Sequence, residues 1–225
     1  MRQLKAFMEQ VCAGPGLACG NVFNPWGQMD AVHDLDATAP RIRAHHLERY
    51  LEARIGRARI ALIAEAPSYA GAKFCGIAMC CERMILAEGG DGSAFFEGAK
   101  QRTSRVAAGL HNEAGMLERT ASIVWKTMAQ AGVAPYEFVN WNAFAWHPHE
   151  AGRMLTNRTP TPAELQAGLP VLRAFIEMFP DITLVAVGQV CQRTLASLGI
   201  ANIGVRHPSY GGAPEFRAGT EAMLR

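Results

Sequence analysis

The sequence predicts an α/β protein, a three-layer α/β/α sandwich around a central four-stranded, mainly parallel sheet. Three observations lead there. Four short apolar runs are rich in β-formers, and each is closed by Gly, Pro, Asn or His. Segments with helical spacing lie between them, the alternation that places helices on both faces of a parallel sheet. Polar residues gather where the runs end, which is where open α/β sheets keep their sites.

The runs are 58–64 plus Glu65, "EFVNWNAF" at 137–144, "ITLVAVG" at 182–188 and "NIGVRHP" at 202–208. The segment 113–132 places Met116, Leu117, Ile123, Val124 and Met128 near one helical face and stops at Gly132. The next helix, over 161–179, opens with Thr161 as N-cap, Pro162 at the first helical position and Glu164 at the third, a capping box. "QVCQRTLASLG" predicts a helix stopped by Gly199, and "PEFRAGTEAML" a last helix. The segment 13–38 reads as irregular, with turns at Gly14-Pro15 and Asn24-Pro25. The glycine-rich stretch 89–112, carrying Lys100, Arg102 and Arg105, reads as a long surface excursion.

A chain of 225 residues suits one domain spanning 1–225. Its 49% hydrophobic and 19% charged content excludes a disordered segment. A net charge of +2 permits contact with a polyanion without demanding it. Cys12 and Cys19 stand seven apart, Cys75, Cys80 and Cys81 crowd one segment, and Cys191 is alone. Without a C-x-x-C pair, the spacing speaks against zinc or iron–sulfur ligation and for reduced thiols. Residues 1–10 carry Arg2, Lys5 and Glu9 and lack the apolar core of a leader, and no run is long enough to span a bilayer. The expectation is a cytoplasmic monomer with no membrane partner.

Three strand-end motifs carry more. "LIAEAPSY" stands at 62–69, "NWNAFAWHPH" at 140–149 and "HPSY" at 207–210. Taken in this order, the chain resembles the uracil-DNA glycosylase superfamily. The first is similar to the Gly-Glu-Ala-Pro-Gly segment of its thermostable iron–sulfur branch, with Ala64 and Ser68 replacing glycines. The second follows the Asn-Ala/Val…Pro pattern through Asn142, Ala143 and Pro148. The third corresponds to His-Pro-Ser. The cysteine positions of that branch which align on Asn142 and on "TPAEL" are Trp146 and Gly168 here, so no cluster and no cofactor is expected.

The resemblance implies a DNA-repair glycosylase that flips uracil from DNA, hydrolyses its N-glycosidic bond and releases free uracil. The departing base gains negative charge and the sugar becomes cation-like, so donors belong on the base oxygens. Neutral His207 suits donation to O2, with the backbone N–H groups of the 64–68 turn (Ala64, Ala66 and Ser68) as further donors. Asn142 presents one donor and one acceptor in a plane, matching O4 and N3–H of uracil. Glu65 is expected to position water or stabilise the cationic sugar, with Glu82 as the competing carboxylate. Met79 or Phe74 is expected to cover the base face, and Tyr69 to exclude the thymine methyl. Tyr210, Gly211 and Gly212 are expected to enter the duplex, with Arg206, Ser209 and Arg217 at the DNA backbone. Another deaminated base, hypoxanthine or xanthine, is the alternative substrate, and a non-catalytic DNA or abasic-site binder the alternative class. Two other chemistries are excluded: there is no H-x-E with P-C-x-x-C for a zinc deaminase, and no G-x-G-x-x-G follows the first run.

Overall fold

The computed structural model describes residues 2–16, 21–87, 95–107 and 109–225. All four apolar runs become strands of one sheet: β2 (Ile60–Ala64), β3 (Phe138–Asn142), β5 (Thr183–Val187) and β6 (Ile203–Val205). Their order is β3-β2-β5-β6 and every pairing is parallel. The register sets Ala64 beside Asn142 and Val187 beside Val205, which brings the carboxyl ends of the strands to one edge. A second, two-stranded antiparallel piece pairs β1 (Val22–Phe23) with β4 (His147–Pro148).

Alternation along the strands divides the core in two. Ala61, Ile63, Val139, Trp141 and Ala186 face one side. There they meet α1 (Arg2–Ala13) through Phe7 and Val11, and α2 (Ala39–Glu52) through Leu47 and Leu51. On the same side lie α6 (Pro162–Glu177) through Leu172 and Phe175, and α7 (Gln189–Ser197) through Cys191 and Leu195. Trp141 stacks on Phe175 with centroids 5.3 Å apart, which welds α6 to the sheet. Ile60, Leu62, Ala64, Val185 and Val187 face the other side, covered by α5 (Arg119–Gln130) through Val124 and Met128 and by α8 (Ala213–Met223) through Phe216. The architecture is the three-layer sandwich expected from the sequence. Two short helices, α3 (Ala72–Cys75) and α4 (Glu82–Leu86), follow β2.

The capping box of α6 forms as its sequence dictates: Thr161 accepts from the Glu164 N–H at 3.2 Å and Glu164 accepts from the Thr161 N–H at 2.8 Å. The helix expected from 113 begins only at Arg119. Gly115 takes a left-handed φ of 92°, and the N–H of Met116 is drawn to Glu82 at 3.1 Å instead of into a helical turn. The stretch 89–112 also differs from its reading. Residues 88–94 and 108 lie outside the described residues, but Phe95, Phe96, Thr103 and Ser104 are buried. The last two are anchored by Glu82, whose carboxylate accepts from the N–H groups of Thr103 (2.6 Å) and Ser104 (2.9 Å) and from the Ser104 hydroxyl. Among the described residues, no helix is long and apolar enough to cross a membrane.

Candidate functional site

A cavity of about 500 Å³ opens at the carboxyl ends of the strands. Its walls come from the 65–68 turn after β2, the start of α5, the 157–159 loop, the start of α7 and the 206–210 loop after β6. Sheet pairing continues past β3 to hold the first wall: the N–H of Ala143 donates to Ala64 O at 2.7 Å and that of Phe144 to Glu65 O at 3.0 Å. His147 supports the same turn from behind, clasped between the carbonyls of Pro67 (2.9 Å) and Met154 (3.1 Å).

Glu65, Ala66, Ser68, Arg206, His207, Ser209 and Tyr210 all line this cavity. The Glu65 carboxyl is half-buried and its pKa is raised by burial, against the weaker pull of the Thr159 hydroxyl and the Arg193 charge. His207 sits against Gly188, where a side chain would come within 3.1 Å of its Cβ. Its Nδ1 lies 3.2 Å from the N–H of Ser209 and 2.7 Å from the Ser209 hydroxyl. A backbone N–H can only donate, so Nδ1 accepts and the ring carries its proton on Nε2. Burial first, and the neighbouring Arg206 charge second, push the His207 pKa below the ordinary histidine value, which keeps the ring neutral.

Asn142 lies deeper. It is 1% exposed, and neither its amide nitrogen nor its amide oxygen has a partner among the described residues. It ends β3 beside Ala64, on the sheet face that Met79 also packs against. Asn140 shares that face and is likewise unpartnered, but it pairs with Leu62 inside the sheet, one alternation further from the strand end.

Several expected residues lie outside the open cavity. Ala64 is buried as the last residue of β2. The Tyr69 N–H is bound by Asn157 Oδ1 at 2.9 Å, and its side chain does not line the cavity. Phe74 is buried with the Lys73 ammonium 3.8 Å above its ring, so that face is already covered. Met79 is buried in the core at a left-handed φ of 46°, held by the Trp125 indole on its carbonyl at 2.9 Å. Glu82 is wholly buried, and its carboxylate is occupied by the 103–104 and 116 backbone. It therefore neither reaches the cavity nor pairs with Arg83 or Arg49, as the sequence reading had allowed. Gly211 is exposed beside Tyr210 at a φ of 77°. At Gly212 a Cβ would meet His207 O at 2.2 Å, so only glycine fits. Arg217 is exposed on α8, one turn beyond that loop.

The structure also brings in residues the sequence reading passed over. Asn157, Thr159, Arg193 and Glu118 line the cavity. Arg158 does too, but its guanidinium is turned to Glu164 in a two-pronged pair at 2.7 Å. The polar run "TNRT" just ahead of the α6 capping box was the available signal for the 157–159 wall. Glu118 carried none, because inside the helix read from 113 an acid is an ordinary solvent-facing residue.

A family model described as the uracil DNA glycosylase superfamily matches residues 53–220. The chain belongs to this superfamily. Its members are DNA-repair glycosylases, and the match contains all three strand-end motifs. Among solved structures, the wild-type crystal structure of Pedobacter heparinus SMUG2 superposes with a TM-score of 0.62 at 11% identity, over 99% of this chain and 97% of that one. At that identity the likeness speaks to the fold alone. No curated protein sequence matches the chain.

The superfamily's iron–sulfur branch raises the question of a cluster. At the two aligned positions, the Trp146 indole is buried and donates to Val11 O at 3.0 Å, and Gly168 packs so that a Cβ would lie 3.0 Å from Phe144. Cys12 is half-buried and Cys19 is outside the described residues. These residues do not fit the cluster.

Proposed function

We propose that this glycosylase removes uracil from DNA by hydrolysing its N-glycosidic bond, with the base flipped into the strand-end cavity. The observation that carries the reading is Asn142. An amide buried with both polar atoms unpartnered costs about 1–3 kcal/mol per group, so it calls for a partner from outside the chain, a ligand or an ordered water. One acceptor and one donor in a plane complement N3–H and O4 of uracil, and mismatch cytosine. His207, neutral and protonated on Nε2, supplies a donor for the charge growing on O2 as the base leaves. The half-buried Glu65 carboxylate favours the positive charge developing on the sugar. Tyr210, 98% exposed, stands on the loop that enters the duplex, with Arg206 and Arg217 exposed beside it for phosphates. No step needs a metal or a cofactor.

The test is an excision panel of uracil, hypoxanthine, xanthine and thymine opposite each base, in EDTA, read by alkaline cleavage. Cleavage at uracil is the expected result. Cleavage at a deaminated purine alone would transfer the activity to that lesion. A gel shift with no cleavage would make the protein a binder.

A further inference from the structure

Glu118 stands at the N-cap of α5, yet its side chain does not cap its own helix. The carboxylate turns back against Gly71, where a Cβ would come 2.1 Å from Oε2 and 2.8 Å from Cys80 O. A residue with any side chain at 71 would displace it. This seat is in the wall of the cavity, shared with Ser68, Glu65 and His207. No ion pair among the described residues engages the Glu118 carboxylate, and the Ser68 hydroxyl beside it falls short of full hydrogen-bond geometry. Glu82, the other carboxylate of this region, has its oxygens filled by backbone donors and is sealed from the cavity.

We propose that Glu118 is the base that takes the proton from the attacking water, an inference that rests on the glycosylase reading above. The water oxygen bonds to C1′ of the sugar while one of its protons passes to the Glu118 carboxylate. The C1′–N bond breaks, and its electron pair leaves with the base, where His207 Nε2–H meets the charge. The base then takes a proton from solvent, and Glu118 returns its own.

The surroundings suit this task. The groups facing the carboxylate are the thiols of Cys80 and Cys81, both pushed up by burial and so uncharged, and the Ser68 hydroxyl. Across the cavity, Arg193 acts on Glu65, Arg206 on His207, and Arg158 pairs with Glu164. With burial dominant and only the hydroxyl opposing it, the Glu118 pKa rises to about 7, the range in which a general base works best near neutral pH.

Single-turnover excision of uracil from an oligonucleotide, measured from pH 5.5 to 9 for the wild type, Glu118→Gln and Glu65→Gln, tests the assignment. The wild-type rate should rise with pH to a plateau along a limb centred near 7. Glu118→Gln should fall about 100-fold or more and lose the limb, while oligonucleotide affinity is kept and the circular-dichroism melt is no lower than that of the wild type. Glu65→Gln should be slower but retain the limb. The proposal is overturned if Glu118→Gln keeps both the rate and the limb, or if its loss is matched by lost binding or folding. A wild type that cleaves none of the panel bases defeats the glycosylase reading itself, an outcome distinct from either of these.

Discussion

The backbone N–H of Ser209 points at Nδ1 of His207 from 3.2 Å, and this contact sets which proton the imidazole carries. With Nδ1 accepting, Nε2–H is the donor left for a ligand. Charge develops on the leaving base whether or not the DNA is paired. His207→Ala should therefore slow single-turnover excision alike on single-stranded and duplex DNA. Tyr210→Ala should hurt duplex substrates more, because only there must a paired base be displaced at a cost of a few kcal/mol. Equal losses for both variants on both substrates would remove the support for the 210–212 loop as the element entering the duplex.

Asn142→Asp keeps the shape of the amide but presents acceptors only. Uracil O4 then loses its donor, and excision should drop by at least about tenfold, as an unmade buried hydrogen bond of about 1–3 kcal/mol requires. Cytosine, with an amino group at that place, should be penalised less. If uracil excision is unchanged, the reader is the other unpartnered amide of the strand, Asn140.

Glu82→Ala tests a structural carboxylate. Its removal strands the N–H groups of Thr103, Ser104 and Met116 in a buried site. Urea unfolding should show a loss of roughly 3 kcal/mol or more, at about 1–3 kcal/mol for each orphaned donor. At low temperature the folded fraction should still excise. A fully folded variant without excision would instead return Glu82 to the water-activating role.

The stability of the fold should carry the mark of Glu118. Its pKa is raised from 4.5 to about 7, so the folded protein holds a proton that the unfolded chain has released over that interval. The stabilisation is complete below 4.5 and is lost as pH climbs through 7. Glu118→Gln, which does not ionise, should melt within a few degrees of the wild type at pH 5 and roughly 7–13 °C above it at pH 8. That rise in pKa is about 3 kcal/mol, and each kcal/mol is roughly 2–4 °C for a chain of this size. The same difference in melting temperature at both pH values would contradict a raised Glu118.

What the sequence by itself determined were the parts governed by local rules. The four strands are legible because parallel strands buried on both faces read as short unbroken apolar runs. The α6 boundary is legible because Thr161, Pro162 and Glu164 satisfy one another within three residues. Asn142 and His207 are legible because they end strands, and the strand ends of a parallel sheet share one edge. The helix α2 was harder to see, since its buried face includes Arg43 and His46, whose charge and ring break the apolar period. Arg43 lies buried against Asp34 at 2.7 Å, a pairing no local pattern announces.

Only the tertiary structure decided among the carboxylates. Glu65, Glu82 and Glu118 are alike in sequence, each an acid beside an apolar segment. Glu82 became a structural tie because segments 103–104 and 116 fold over it and fill its oxygens. Glu118 became a cavity wall because Gly71, 47 residues earlier in the chain, leaves room for its carboxylate. Whether a carboxylate is solvated, bonded or dry depends on what distant chain packs against it, and that packing sets both its pKa and its freedom to act.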